Sequence, residues 1–439
     1  MNIKQNKNQN RIIAIIGLGY VGLPLIIKFL NSKKYNVIGI DNDKNKINDL
    51  KKGRSYISHI LHKEAKFIRD NALNLSDNYN LIEKANVIIF TLPTPITKNK
   101  DPDMSYISSA LKSAKNFFKK NQLVILESTV YPGATADYFL PIFKEKNFIV
   151  GKNIFLGYSP EREDPGNKNF NISNIVKLVS GYTNKCLSKC EQIYSSINIK
   201  TKKVSSIKTA EITKLYENIF RSVNIGLVNE MKLISDKMNL DIHEIIEAAK
   251  TKPFGFKAFY PGPGLGGHCI PIDPYLLTWK AKQYDLHTKF VELSGDINNS
   301  MPSFVIGKIG DTLNSLKKNF SKSIILIIGV AYKKNINDTR ESPSIKIIES
   351  LYAKGSKILY HDDYVKKINI KVPKKKFSLR KKNHTLRSVK LDKQTLKKVD
   401  LVCIVSDHDY IDYKLIKDYS RIIVDCRGRF RHKKNLVRA

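Results

Sequence analysis

Two rhythms of apolar and polar positions run through this chain. RIIAIIG at residues 11–17 is a continuous apolar run closed by glycine, LPLIIKFL at 23–30 has helical spacing, and YNVIGID at 35–41 is a second apolar run ending in an acid. NVIIFTLP, LVILEST and IFLGYSP repeat the strand pattern, with helical stretches between them. Strands that alternate with helices predict a mostly parallel, doubly wound α/β sheet. From Ser206 to about Met238 the rhythm changes to apolar positions at three- and four-residue spacing, with no proline and one glycine. This length predicts one long central helix, a face suited to dimerisation. DIHEIIEAAK adds another helix. A second α/β unit begins near Ser321 with SIILIIGVAY, SPSIKIIESLYAKG and SKILYHDD, and continues with DLVCIVSD and RIIVDCRG. The lysine-rich stretch 371–390 reads as a solvated loop and strand edge.

Composition changes this picture little. A chain of 439 residues with 42% hydrophobic and 26% charged positions holds two or three domains with a sizeable core. No apolar run reaches membrane-spanning length, and MNIKQNKNQN at the start lacks the apolar centre of a signal peptide. The formal net charge is +36. A nucleic acid or an anionic membrane would suit that charge, but the lysines are scattered through every segment and no nucleic-acid motif accompanies them. Compositional bias with lysine on solvated faces is the simpler reading, and no nucleic-acid partner is expected. The five cysteines, Cys186, Cys190, Cys269, Cys403 and Cys426, show no disulfide framework and fit a reducing cytoplasm. Cys186 and Cys190 lie one helical turn apart without companion ligands, so they read as thiols rather than a metal site.

Candidate chemistry lies at two places. Gly17, Gly19 and Gly22 of GLGYVG take the first, third and sixth positions of a dinucleotide fingerprint: a tight turn, close backbone approach to a pyrophosphate, and helix–strand contact. Asp41 ends the next strand, where a carboxylate accepts from ribose hydroxyls and repels a 2′-phosphate, favouring NAD; as a plain strand-end turn residue it would do neither. Lys46 nearby leaves room for NADP. The second place is Gly266-Gly267-His268-Cys269-Ile270-Pro271-Ile272-Asp273-Pro274. A thiol after two glycines suits a nucleophile that meets its substrate closely. The alternatives are a small buried thiol, disfavoured by the flanking glycines and Pro271, and a zinc ligand, for which companion ligands are missing. No metal is expected. Lys214 and Asn218 are four residues apart, so on a helix they share a face and suit an oxyanion; Lys214 alone would read as a solvated lysine. Glu161 beside Arg162 reads equally as a surface ion pair, and Asp273 before Pro274 as a cap or turn residue.

GLGYVG, LPTPI, ESTVYPG, GYSPEREDPG, KLYEN, FYPGPGLGGHCIPIDP and DTRESPS occur in order between residues 17 and 344. This set resembles the nucleotide-sugar 6-dehydrogenase family (UDP-glucose and GDP-mannose dehydrogenases). KPFGFKAFYPGPGLGGHCIPIDP is most similar to the UDP-N-acetylglucosamine branch used for bacterial surface polysaccharides. The resemblance implies two Rossmann-like doubly wound domains joined by a central helical dimerisation region. The expected boundaries are 1–205 for NAD, 206–305 for the helical region with the thiol loop, and 306–439 for the UDP-sugar.

By the same resemblance, Cys269 is the nucleophile and Asp273 assists proton transfer. Lys214 and Asn218 stabilise an oxyanion, Glu161 is the base for thioester hydrolysis, and Thr129 positions its water. Tyr20, Val21, Lys46, Thr94 and Thr129 join the glycines and Asp41 at NAD. Glu161, Arg162, Lys214, Asn218, Phe259, Tyr260, Gly266, Lys333 and Arg340 contact the nucleotide-sugar. Two positions depart from the UDP-glucose pattern: Pro165 stands where those enzymes place a second glutamate, and His268 where serine is common beside the nucleophile. The C-terminal unit has Gly329 in place of a full fingerprint and should hold no second NAD. The expected activity is four-electron oxidation at C6 of UDP-N-acetylglucosamine by a homodimer or higher oligomer. UDP-N-acetylgalactosamine, UDP-N-acetylmannosamine and UDP-glucose are the alternative substrates.

Overall fold

The computed structural model describes residues 11–57, 60–163, 174–267, 270–373, 381–431 and 435–439. The polar start, Pro165, His268 and Cys269 lie outside the described residues. The chain divides into two compact units, one running to Glu217 and taking in Tyr275–Leu286, the other comprising Asn218–Pro274 and His287–Ala439.

In order, the first unit contains β1 (Arg11–Ile16), α1 (Gly22–Asn31), β2 (Tyr35–Ile40), α2 (Lys44–Lys51), α3 (His62–Asn71), β3 (Asn74–Ser76), β4 (Val87–Phe90), α4 (Ser105–Ala114), β5 (Leu123–Leu126), α5 (Ala134–Glu145), β6 (Phe155–Tyr158), β7 (Lys177–Gly181), α6 (Asn184–Ser196) and β8 (Thr201–Lys203). The strands form one sheet in the order β3-β2-β1-β4-β5-β6-β7-β8, parallel throughout except where β6 meets β7. VIIF of β4 and LVIL of β5 are buried at every position. Helices cover both faces of such a sheet, which is why its central strands read as unbroken apolar runs. Leu25, Ile26 and Phe29 of α1 join Ile13 and Ile15 of β1 in one core. β7 and β8 escape a pattern search because both are short, one opens on a buried lysine and the other is TKK.

Helix α7 (Ile207–Lys237) follows, each end within a residue of the one its periodicity predicts. Its first turns carry Glu211, which has no exposed surface. The Glu211 carboxylate accepts from Gly133 N at 2.6 Å, Thr135 N at 2.9 Å and Thr135 Oγ1 at 2.6 Å. Helix α5 has no capping side chain of its own, since Gly133 with φ of 101° takes the N-cap position. Glu211 therefore supplies from α7 the acceptor that orphaned first-turn N–H groups require.

The second unit continues with α8 (Ile242–Lys250), α9 (Asp273–Lys282, of which only the first two residues belong here), α10 (Lys289–Ser315), β9 (Ile324–Ile328), α11 (Pro343–Ala353), β10 (Lys357–His361), β11 (Lys367–Pro373), β12 (Lys381–Arg387), α12 (Lys393–Lys398), β13 (Leu401–Ile404), α13 (Tyr413–Tyr419), β14 (Ile423–Asp425) and β15 (Leu436–Arg438). Its parallel sheet has the order β10-β9-β13-β14-β15. Alternate residues of β9 enter opposite cores: Ile325 and Ile327 meet Ile347, Ile348 and Leu351 of α11, while Leu326 and Ile328 meet Leu396 of α12 and Ile416 of α13. This split is the doubly wound layering the repeated pattern predicts, and both units are α/β sheets of that kind.

One segment differs from the sequence reading and another was not read from it. The lysine-rich stretch is not a loop at its start: β11 and β12 pair antiparallel, and Ile368, Ile370 and Val372 are buried at every second position beneath the intervening polar residues. Residues 374–380 between the strands lie outside the described residues. Helix α10, 27 residues long with Pro302 inside, presents a partly polar buried face of Ser294, Asn298, Met301, Val305 and Ile309. Asn298 donates to Ser222 O at 3.1 Å and accepts from Asn229 at 2.8 Å, so polar groups here replace the apolar period that signals a buried face.

Burial raises the Glu211 carboxyl to about 7 against the pull of Thr135 and the backbone N–H groups. A raised folded value means that stability is complete below the ordinary glutamate range and is lost as pH rises through 7. In urea unfolding at pH 5 and pH 8, the wild type should lose on the order of 3 kcal/mol relative to Glu211→Gln. An unchanged difference between the two proteins at both pH values would mean that Glu211 does not titrate in the fold.

Candidate active site

The glycine loop after β1 is built by close contacts. Gly17 has φ of 101°. A Cβ on Gly22 would fall 1.9 Å from Gly17 O, while one on Gly19 would meet nothing within 4 Å. Thr91, at the end of β4, donates to Gly17 O at 2.6 Å, and Tyr56 donates to Leu18 O at 2.5 Å. Helix α1 opens without a capping side chain and without an acid in its first turn. Its N–H groups, beside the open space at Gly19, fit a phosphate. Tyr20 and Val21 are half-buried at this turn.

Asp41 is nearly buried and accepts from Leu18 N at 2.8 Å, Asp43 N at 2.9 Å and Lys46 Nζ at 3.1 Å. A carboxylate has about four lone-pair sites, so capacity for a ribose hydroxyl remains. Lys46 is engaged with this carboxylate. The counterpart at the end of β10 is Asp362, which accepts from Val330 N, Ala331 N, Tyr364 N, Val365 N and His408 Nε2. His408 Nδ1 accepts from Asn335 N at 2.8 Å, so its other nitrogen carries the proton it gives to Asp362. That acid is consumed by its own fold.

The loops after β4 and β5 are tied together: Thr94 donates to Thr129 O at 2.5 Å, and Leu92 N donates to Ser128 at 2.9 Å. Beyond β6, Glu161 accepts from Arg162 N at 2.6 Å and Glu163 N at 2.7 Å, and its second oxygen lies 3.3 Å from Lys177 Nζ. Burial works to raise the Glu161 carboxyl, but Lys177, the two N–H groups and Lys214 outweigh it, and the net direction is down. Arg162 pairs with Glu217 through two nitrogens, at 2.6 and 3.2 Å, rather than with Glu161.

Lys214 and Asn218 are buried one turn apart on α7. Among the described residues Lys214 makes no hydrogen bond or ion pair. Asn218 donates to Asp273 Oδ2 at 2.5 Å, and both are 3% exposed. Asp273 is the first residue of α9.

The glycines before the thiol have a reason different from the one their sequence suggests. A Cβ on Gly266 would lie 2.6 Å from Tyr332, one on Gly267 would lie 2.8 Å from the Tyr332 ring, and Gly267 N donates to Arg340 O at 3.0 Å. Side chains are absent there so that the loop can lie flat on Tyr332. Arg340 pairs with Asp338 at 2.6 Å, and Lys333 sits 6.0 Å from the Tyr332 ring centre. Phe259 meets Phe220 edge-on at 6.0 Å, and Tyr260 donates to Glu247 at 2.5 Å. The thiol of Cys269 lies outside the described residues. Among those residues no group of three or more His, Cys, Asp or Glu could hold a metal ion, and no helix is long and apolar enough to cross a membrane.

Sequence reasoning missed Thr91, Tyr56 and Tyr332, which hold the two loops in place, and the buried set Glu127, Lys177 and Tyr194. Glu127 stood two residues from Thr129 in ESTV, but Lys177 is hidden among 76 basic residues, most of which read as surface.

Three models of the UDP-glucose/GDP-mannose dehydrogenase family match the chain: the NAD binding domain at 11–198, the central domain at 208–300 and the UDP binding domain at 326–432. The chain is 35% identical to Protein CapL of Staphylococcus aureus, over 95% of this chain and 94% of that one. It is 36% identical to a UDP-N-acetyl-D-glucosamine 6-dehydrogenase of Pseudomonas aeruginosa, over 80% and 83%. Among solved structures it resembles the UDP-D-ManNAc dehydrogenase from Pyrococcus horikoshii with a TM-score of 0.84 at 28% identity, covering 97% of this chain and 98% of that one.

The glycine contacts separate two outcomes. Gly22→Ala drives a methyl into Gly17 O and should destabilise the protein by about 2 kcal/mol or more. Gly19→Ala should leave the melting temperature unchanged yet weaken NAD binding about tenfold in calorimetry. Unaltered NAD affinity in Gly19→Ala would mean that the cofactor does not approach this backbone.

Proposed function

The chain belongs to the UDP-glucose/GDP-mannose dehydrogenase family, and on that premise we propose that it oxidises C6 of UDP-N-acetylglucosamine to the uronic acid. It is an NAD-dependent nucleotide-sugar dehydrogenase. The observation that carries the site assignment is the buried turn of α7. A cation without a hydrogen-bonding partner among the described residues, Lys214, precedes Asn218, which is held by Asp273. Such a pair of donors in a dry setting suits a developing oxyanion.

Gly17, Gly19, Gly22, Tyr20, Val21, Asp41 and Thr94 hold the NAD, which takes up hydride when bound, twice in each turnover. Lys214 and Asn218 stabilise the C6 alkoxide and later the tetrahedral oxyanions. Asp273, joined to Asn218, assists the proton transfers. Cys269 adds to the aldehyde as a thiolate, giving a thiohemiacetal whose oxidation leaves a thioester. Glu161, kept ionised by Lys177 and its two backbone donors, takes a proton from the water that releases the acid, and Thr129 orients that water. Phe259, Tyr260, Gly266, Lys333 and Arg340 are the proposed contacts of the nucleotide-sugar, with Arg162 behind Glu161. The product suits surface polysaccharide synthesis.

The N-acetylglucosamine assignment is supported by KPFGFKAFYPGPGLGGHCIPIDP and by the Pseudomonas aeruginosa relative. The second reading is the manno epimer, favoured by the likeness to the Pyrococcus horikoshii enzyme. Following NADH absorbance with a panel of UDP-sugars should give about two NADH per UDP-N-acetylglucosamine consumed, as four-electron chemistry requires. Cys269→Ser should stop net acid formation. One NADH per sugar, or full activity in that variant, would remove the thioester from the mechanism.

A homodimer is part of the same proposal. Phe220, Leu227, Met231 and Ile234 are exposed on one face of α7, at offsets that bring them within about two-thirds of a right angle of each other, and Met238, just past its end, is exposed too. A stripe of this kind on a soluble enzyme suits a second copy of the chain. Leu227→Glu combined with Ile234→Glu should convert the oligomer to monomers in sedimentation velocity. An unchanged sedimentation coefficient would move the interface elsewhere.

A further inference from the structure

β7 opens on a lysine withdrawn from water. Lys177 is 4% exposed, and its Nζ lies 2.8 Å from Glu127 Oε2 and 3.3 Å from Glu161 Oε2. Tyr194 of α6 donates to the other oxygen of Glu127, and the Lys177 ammonium lies 5.1 Å from the Tyr194 ring centre. The four groups come from the loop after β5, the loop after β6, the first residue of β7 and the body of α6, all within the first unit.

A purely structural ion pair needs one carboxylate, and a buried pair is often no better for stability than apolar side chains of equal volume. Here one ammonium is shared by two carboxylates in different settings. Glu127 is sealed in the interior, whereas Glu161 keeps 17% of its side chain exposed. Burial pushes the Glu127 carboxyl up despite Lys177. For Lys177 itself, burial works to lower the ammonium, but Glu127 and Glu161 outweigh it and keep it charged. Glu161 is therefore the partner at the open end, held down by the shared cation, while Glu127 and Tyr194 hold that cation from behind.

We propose that Lys177 is a positioning residue that holds Glu161 as an aimed carboxylate, and that Glu127 determines how much of the Lys177 charge Glu161 receives. The proposal rests on the reading of Glu161 as the group that takes a proton from water. The other groups facing Glu161 are Lys214 from α7 and the N–H groups of Arg162 and Glu163. The Arg162 guanidinium is directed instead to Glu217 and Val176 O. On the Glu127 side α6 adds Tyr194 and Cys190, whose thiol burial holds protonated.

The arrangement makes two opposite predictions for the acid limb of the pH profile of kcat with UDP-N-acetylglucosamine and NAD. Lys177→Met removes the cation, so Glu161 titrates higher and the limb should move up by about one pH unit. Glu127→Gln removes the competing carboxylate and its repulsion, so the limb should move down. Lys177→Arg, which keeps the charge, should leave the limb near its wild-type position, and it serves as the readout if Lys177→Met fails to fold. A network that only supports the fold would lower activity in all variants without moving the limb in opposite directions, and that result overturns the proposal. Glu161→Gln separates the two ideas. If it retains the limb, the role of Glu161 itself is wrong. If it loses the limb while Glu127→Gln leaves it at the wild-type pH, the role of Glu161 stands and the positioning by Lys177 and Glu127 fails.

Discussion

The carboxylate of Glu211, buried against the start of α5, is the constraint on which the first unit's site depends. A helix without a cap of its own borrows one from α7, and the loop between β5 and α5 takes its course from that bond. The same stretch of α7 repeats the device at three-residue spacing. Glu217 holds Arg162 in the loop after β6, and Lys214 stands between the two acids with its charge felt at Glu161. Two turns of one helix thus hold the loops at the C-terminal ends of two neighbouring strands. In an open parallel sheet that edge is where ligands are met. The loops are irregular, yet they are positioned from an element that is not.

Such anchoring relies on burying charge, which is costly unless each group is answered. Glu211 is answered by N–H donors, Arg162 by a carboxylate, and Lys177 by two. Asn218 and Asp273 do the same with an amide. Each pairing takes rotameric freedom from the groups it joins, which is how preorganisation arises in a folded chain.

Much of this was legible in the chain. The βαβ opening, the acid at the end of β2 and the extent of α7 follow from periodicity and glycine spacing, because those signals come from local sterics and amphipathic burial. What could not be read depends on partners far away in sequence. Lys177 has the composition of a surface residue and the position of a core one, and Glu127, fifty residues earlier, together with Glu161 explains the difference. Asn298 and Ser294 hide the buried face of α10 because polar groups satisfy one another there. The two glycines before Cys269 were legible as a need for room, but their neighbour Tyr332 belongs to another element altogether.

The two sheets place an aspartate at the same station, after the second strand, and have taken it in different directions. Asp41 keeps a lone pair in hand, whereas Asp362 gives its oxygens to four backbone N–H groups and a histidine. In the second sheet the protein binds itself at that station, leaving no acceptor for anything else. Anyone redesigning this enzyme for a different coenzyme therefore has one negotiable acid and one that functions as a keystone.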